Sequence, residues 1–237
     1  GKVAFSRPNH GVKTFTANQA LPHAQHAFGT REEAATEVEH NIRLLTERLG
    51  PIAHMRQVHT DRIAYAARAG IYEECDALYT DRSDLWLAVK TADCVPILIS
   101  SPQAVAVIHA GWRGLQLGLV GKTIDLLRQE FNLDPIDLFA HIGPCIRAHN
   151  YEVEEDVAQH FPAKFSHAGQ KKGKFLLDLA GVAARQLRDA DLPDLNIYDV
   201  GLCTFDKRER FFSYRRDKKA GHDVQLSLVK LQRQRMG

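Results

Sequence analysis

A thiol and an imidazole at the open end of one predicted hairpin are the groups of this sequence best placed to do chemistry. Thr91-Ala92-Asp93-Cys94-Val95-Pro96 leads from a loop into an apolar strand ending at Ser100. Ser101-Pro102-Gln103 is turn chemistry, and Ala104–His109 reads as a second buried strand. A turn centred on Ser101 and Pro102 puts Cys94 directly opposite His109, with Cβ atoms ~5 Å apart. That spacing suits two ligands of one metal ion, and equally a cysteine nucleophile with its base. A lone cysteine in an apolar strand is more often a small core residue. The thiol and the histidine together at one hairpin mouth, beside Asp93 and Gly111, weigh against that reading.

Other groups cluster near this pair in the sequence pattern. Arg56-Gln57-Val58-His59-Thr60-Asp61 ends a short predicted strand. Alternation sets Gln57 and His59 on one face, with Asp61 available to hold the second ring nitrogen and Gln57 to orient a substrate. Spacing alone does not distinguish His59 among the 12 histidines. Gly111-Trp112-Arg113-Gly114 precedes a predicted helix and offers an anion cradle: glycines allow close backbone approach, helix N–H groups attract negative charge, and Arg113 adds a forked contact. The same four residues equally describe a tight turn with Trp112 packed. Arg215 and Arg216 are a second anion candidate, or solvated charge. Asp93 is placed to carry a proton or brace a ligand, and Cys145, in a Gly-Pro-Cys turn, to line a pocket.

The elements that must position these groups follow from periodicity. Helices are predicted over Glu32–Leu49, Leu115–Phe131, Val153–His160 and Leu179–Ala190. Thr30 and Glu33 form a capping-box pattern before the first, and Gly50-Pro51 ends it. Strands are predicted at Ala53–His59, Arg62–Ala66, Leu85–Thr91, Val95–Ser100, Ala104–His109, Leu138–Ile142, Asn196–Val200, Arg210–Tyr214 and Val224–Val229. Several connections are too short for a crossover helix, which demands antiparallel pairing. The expectation is an α+β fold over residues 1–237 as one domain, with mixed, largely antiparallel sheets in layers flanked by helices.

Composition narrows the function classes. Of 237 residues, 44% are hydrophobic and 25% charged, as in an ordinary globular protein. The net charge of +2 is too small to predict a nucleic-acid partner. From Lys207 onward ten Lys/Arg stand against three Asp/Glu, which is either a solvated face or a basic lip over an anionic substrate. No run of 18 apolar residues and no leader pattern are visible, and the four cysteines form no CxxC pair. A cytoplasmic enzyme of a small-molecule substrate, without membrane or nucleic-acid partners and acting as a monomer or homodimer, is expected.

The ordered segments resemble the laccase-domain family, also called the YfiH-type or polyphenol-oxidoreductase family, known for purine nucleoside phosphorylase and adenosine deaminase activities. The matching residues are Gln57-Val58-His59, Cys75 to Asp81, Thr91 to Pro96, His109-Ala110-Gly111-Trp112-Arg113-Gly114, Ile142 to Ile146, Tyr151-Glu152-Val153, Cys203-Thr204 and Phe211 to Asp217. The resemblance implies His59, Cys94 and His109 as zinc ligands, with one coordination position left open, and purine nucleosides and phosphate as substrates. It also implies phosphorolysis of adenosine, inosine and methylthioadenosine, and deamination of adenosine. Three departures fall around the substrate mouth: no glycine-rich stretch follows His26 to Arg31, Gly221-His222 replaces a usual Gly-Arg, and Arg147 replaces a glycine. Rival readings are a Cys94–His109 hydrolase of cell-wall precursors, a copper-dependent phenol oxidase, and a binding module whose metal is closed by His141 or Cys145.

Overall fold

Short apolar runs between turn residues build fifteen strands among the described residues; the computed structural model describes residues 12–32, 34, 37–218 and 223–233. In chain order they begin β1 (Thr14–Phe15), β2 (Ala24–Gly29), β3 (Ile52–Met55), β4 (Ile63–Tyr65), β5 (Gly70–Tyr72), β6 (Ala77–Thr80) and β7 (Trp86–Thr91). They continue with β8 (Val95–Ser100), β9 (Val105–Ala110), β10 (Phe139–Ile142), β11 (Glu152–Glu154), β12 (Ser166–Ala168), β13 (Lys174–Leu177), β14 (Ile197–Asp199) and β15 (Gln225–Leu231). The helices are α1 (Val38–Leu49), α2 (Trp112–Gln116), α3 (Leu119–Phe131), α4 (Glu155–Ala158), α5 (Leu179–Asp189) and α6 (Tyr214–Asp217).

Two six-stranded sheets stack face to face. One runs β1-β2-β15-β7-β3-β5 and the other β14-β10-β8-β9-β6-β4; β11-β13-β12 form a small third sheet. Pairing is antiparallel except at β7–β3, β3–β5, β10–β14 and β6–β4, so the sheets are mixed and largely antiparallel, as the short connections required. Alternation assigns the strand faces. Ile97, Ile99, Ala106 and Ile108 pack against α2, α3 and α5, while Leu98, Val105 and Val107 face Leu87, Val89 and Val229 of the first sheet. α1 covers the outer face of the first sheet through Ile42 and Leu45. The result is four layers, helix–sheet–sheet–helix, with the central hairpin β8–β9 buried on both faces.

Several boundaries differ from those the periodicity predicts, for physical reasons. The helix predicted from Leu115 begins earlier, at Trp112, and is broken in two by Gly118, whose φ of 75° is left-handed. Val153 belongs to strand β11, and only one helical turn, α4, follows it. Arg210–Tyr214 is not a strand: the Ser213 side chain accepts from the Arg216 N–H and starts α6 instead. α1 begins at Val38; Glu33 and Ala35 lie outside the described residues, as do Gly221 and His222. No helix among the described residues is long and apolar enough to cross a membrane.

Candidate metal centre

The hairpin brings Cys94 and His109 together, but in another register from the one the turn chemistry suggests. Pro102 and Gln103 form the two-residue loop, closed by the Ser101 N–H donating to the Ala104 carbonyl at 2.9 Å. His109 therefore pairs with Pro96, and Cys94 lies just beyond the first paired residue, Val95. A shift of two residues preserves the face, because side chains alternate with period two. Asp93 turns the chain at φ 99°, a conformation non-glycine residues rarely adopt and one that costs of order 1–3 kcal/mol. His59 is also left-handed, at φ 61°. The ligand atoms of His59, Cys94 and His109 all lie within 4.8 Å of one another. Cys94 Sγ is 3.9 Å from His59 Nε2, and the two imidazole rings meet edge to face at 4.8 Å.

Asp76 is the residue that holds this arrangement, and residue spacing did not point to it. Its fully buried carboxylate accepts the backbone N–H groups of Val58, His59 and Thr60 at 3.1, 3.0 and 2.9 Å. The same carboxylate meets His109 Nδ1 at 2.6 Å. One anion thus fixes the strained His59 loop and orients the His109 ring, leaving Nε2 for a metal. Burial alone would raise the Asp76 pKa, but the His109 bond and the backbone donors hold it below the usual carboxylate range. Asp61, expected to brace His59, instead pairs with Lys122.

The electrostatics favour the thiolate of Cys94 and the protonated ring of His109, which an ion would have to deprotonate. Burial pushes the Cys94 thiol up, but the His109 charge and hydrogen bonds from both imidazoles bring it down to about 6. His109 is lowered by burial, and the Cys94 and Asp76 charges outweigh that to hold it at about 9. A thiolate at neutral pH is what a metal requires. Gly111 borders the same space: a Cβ there would sit 3.0 Å from the His59 ring and 3.2 Å from Cys94 Sγ.

The remaining sequence candidates divide. Arg113 is exposed and lies over the Trp112 ring at 4.3 Å, and Trp112 itself stacks on His160. The two aromatics therefore position Arg113. Arg215 donates its backbone N–H to Asp93 at 2.7 Å, and its guanidinium lies over Tyr151 at 4.9 Å. Tyr151, missed as a site residue by spacing, is raised to about 12 by burial and by the nearby Cys94 charge, with Arg215 and Arg113 opposing. Asp93 also accepts from Thr204 Oγ1, so its carboxylate ties two segments to the base of the site.

Three candidates are committed elsewhere. Gln57 pairs both amide atoms with the Lys90 backbone and braces its loop as an extra strand residue would. Arg216 spends all five N–H groups on Thr204, Phe205 and Phe211 carbonyls and on Asp217, leaving none for phosphate. Cys145 is fully buried, with its thiol pushed by burial to about 12. Neither Cys145 nor His141 joins the triad, and no other His, Cys, Asp or Glu among the described residues does. Arg147, one of the departures, is taken up by a forked pair with Asp199 at 2.6 and 2.7 Å.

The family model described as multi-copper polyphenol oxidoreductase laccase matches residues 10–231. The chain belongs to this family. Among its relatives, a purine nucleoside phosphorylase of Haemophilus influenzae is 36% identical, covering 89% of this chain and 96% of that one. A purine nucleoside phosphorylase of Xylella fastidiosa is 33% identical, covering 85% and 82%. Among solved structures, a hypothetical protein, YfiH, of Bacillus licheniformis superposes with a TM-score of 0.84 at 26% identity over 94% of this chain and 97% of that one. A Neisseria meningitidis protein reaches 0.81 at 30% identity over 92% and 99%. The laccase-family match takes in the whole triad, Asp76, Tyr151 and both hairpin strands.

Proposed function

We propose that the chain is a metal-dependent purine nucleoside enzyme whose ion, zinc in preference to copper, is held by His59, Cys94 and His109. The observation that carries the reading is three converging ligand atoms with no fourth protein ligand among the described residues. Two imidazoles and a thiolate are a borderline set that zinc accepts, and three protein ligands leave a position open for chemistry. Copper accepts the same donors and is the metal named in the family description. When bound, zinc supplies Lewis acidity and brings the pKa of water toward ~7. Phosphorylase relatives at 32–36% identity support nucleosides as substrates.

In this reading the chain itself does the positioning. Asp76 keeps His109 turned toward the ion and removes the freedom of the His59 loop. Gly111 keeps the space beside the ligands clear. Arg113 and Arg215 place positive charge at the edge of the site, where phosphate enters. In phosphorolysis a phosphate oxygen bonds to C1′ of the ribose as the glycosidic bond breaks and the base leaves with a proton. In deamination water adds at C6 of adenosine and ammonia leaves, giving inosine. Asp93 is better read as a brace than a proton carrier, since Thr204 and Arg215 already occupy its oxygens.

Metal-replete protein is to be incubated with adenosine, inosine and methylthioadenosine, with and without phosphate, and the products separated. Free base formed only with phosphate establishes phosphorolysis; inosine from adenosine without phosphate establishes deamination. No product from any of the three, with zinc bound stoichiometrically, refutes the proposal. Arg215→Ala is expected to raise the phosphate KM about tenfold with little change in metal content.

A further inference from the structure

We infer that the chain carries a second divalent-cation site, separate from the first, formed by His149, Cys203 and Asp206, with Asn150 as the fourth donor. The ligand atoms of the three lie within 4.8 Å of one another, as do those of the first triad. They come from two segments tied side by side. The backbone of Cys203 forms an isolated parallel β-bridge with that of Cys145, both thiols staying free. The Lys207 N–H donates to the Cys203 carbonyl, closing a Cys-x-x-Asp turn that folds Asp206 back over the thiol. The other segment presents the adjacent pair His149-Asn150. His149 Nε2 meets Asp206 Oδ2 at 2.7 Å, and Asn150 Nδ2 reaches Asp206 Oδ1 at 2.7 Å and Cys203 Sγ at 3.4 Å.

An exposed His–Asp pair contributes little to stability and has no need of a thiol. Here a buried cysteine, 5% exposed, converges on the pair from below, while His149 and Asp206 remain open to solvent as an entry path. The amide oxygen and nitrogen of Asn150 are interchangeable by a half-turn of the side chain, which aims Oδ1 at the same centre. Nitrogen, sulfur and oxygen donors within tetrahedral reach select zinc or a similar borderline ion over magnesium or calcium. Binding replaces the thiol proton, which leaves to solvent. The His149 ring coordinates through Nε2, with its proton moved to Nδ1 or, from the imidazolium, released. An ion here clamps the turn containing Thr204, whose hydroxyl holds Asp93 beside Cys94.

Metal-free protein loaded with Zn²⁺ and desalted is expected to retain two equivalents. The His59→Ala/His109→Ala and His149→Ala/Asp206→Asn variants are each expected to retain one. Co²⁺ distinguishes the thiols: Cys94→Ser should keep a thiolate-to-cobalt charge-transfer band, and adding the exposed-site change His149→Ala should weaken Co²⁺ binding at least tenfold and remove the band. One equivalent that the His149→Ala/Asp206→Asn variant still retains, or no such band in Cys94→Ser, overturns the second site and leaves the reading of the first untouched.

Discussion

Two pairs of histidines in this protein have nearly the same geometry and opposite chemistry. His59 and His109 meet edge to face at 4.8 Å; His26 and His141 meet edge to face at 4.9 Å. His109 is held at about 9 by the charges of Cys94 and Asp76, overcoming burial. His26 falls to about 4 through burial, and His141 to about 3 through burial and the neighbouring His26 charge. Position in the layers explains the split. The first pair sits at the mouth of the β8–β9 hairpin against an anion and a thiol. The second is enclosed, where His26 accepts a backbone N–H and His141 Nδ1 has no hydrogen-bond partner. The charge of an imidazole is thus set chiefly by burial and by the anions around the ring pair, with the ring partner a lesser cause.

The comparison breaks most completely if the ligands themselves prove dispensable. His109→Ala and Cys94→Ser are expected to lower metal affinity at the first site by more than the ~100-fold that supporting residues contribute, measured by chelator competition. His141→Ala should leave that affinity unchanged; equal losses would erase the distinction. The pH dependence sharpens the same point. Between about pH 6 and 9 each ion bound displaces one proton from His109, so affinity rises about tenfold per pH unit; below about 6 the thiol is protonated too and the slope steepens. A flat profile across that window would remove the charged pair from the account.

Asp76→Asn tests the neighbour that makes the difference. It should weaken metal binding ~10–100-fold and cost ~3–5 kcal/mol in denaturant unfolding, because three loop N–H groups and one imidazole lose a charged acceptor. The smallest expected effect belongs to the enclosed pair. Both folded pKa values lie below the ordinary 6.5, so the unfolded chain binds more protons and stability falls as pH drops from about 6.5 toward 4. In metal-free protein this amounts to roughly 3–5 kcal/mol between pH 7 and 4.5, and His141→Phe should remove about half of it. An unchanged acid slope in that variant would count against the neutral-core assignment.

How far the sequence exposes these features depends on how local their causes are. β8 was legible residue for residue, because an unbroken apolar run bounded by turn chemistry specifies a buried strand. Helices α3 and α5 were legible within a few residues from their stripes, yet the Gly118 break was not, since one glycine at a helix end looks like a cap or an interruption equally well. In the site, Cys94 and His109 followed from the hairpin, though with a register two residues off because the loop is Pro102-Gln103. His59 needed the family resemblance. Asp76 lies far from all three ligands in the chain except through β6 and β9, and only the fold reveals that one carboxylate serves four donors. Arg216 and Gln57 looked functional because exposed-type side chains in a motif invite that reading; the fold spends them on backbone carbonyls and amides.

The buried Asp76 carboxylate accepts the backbone N–H groups of residues 58, 59 and 60. The loop that carries His59 is therefore held in place by the protein's own hydrogen bonds. Small metal-dependent domains fold only when loaded; here the hairpin and loop rest on the core and on Asp76, so under the proposed function loading and stripping would be reversible exchange on a standing scaffold. Chelation should then leave the far-ultraviolet dichroism intact and lower the melting temperature only by the mass-action share of the lost ligand. Under the proposed function, supply rather than folding decides which borderline metal the cradle takes.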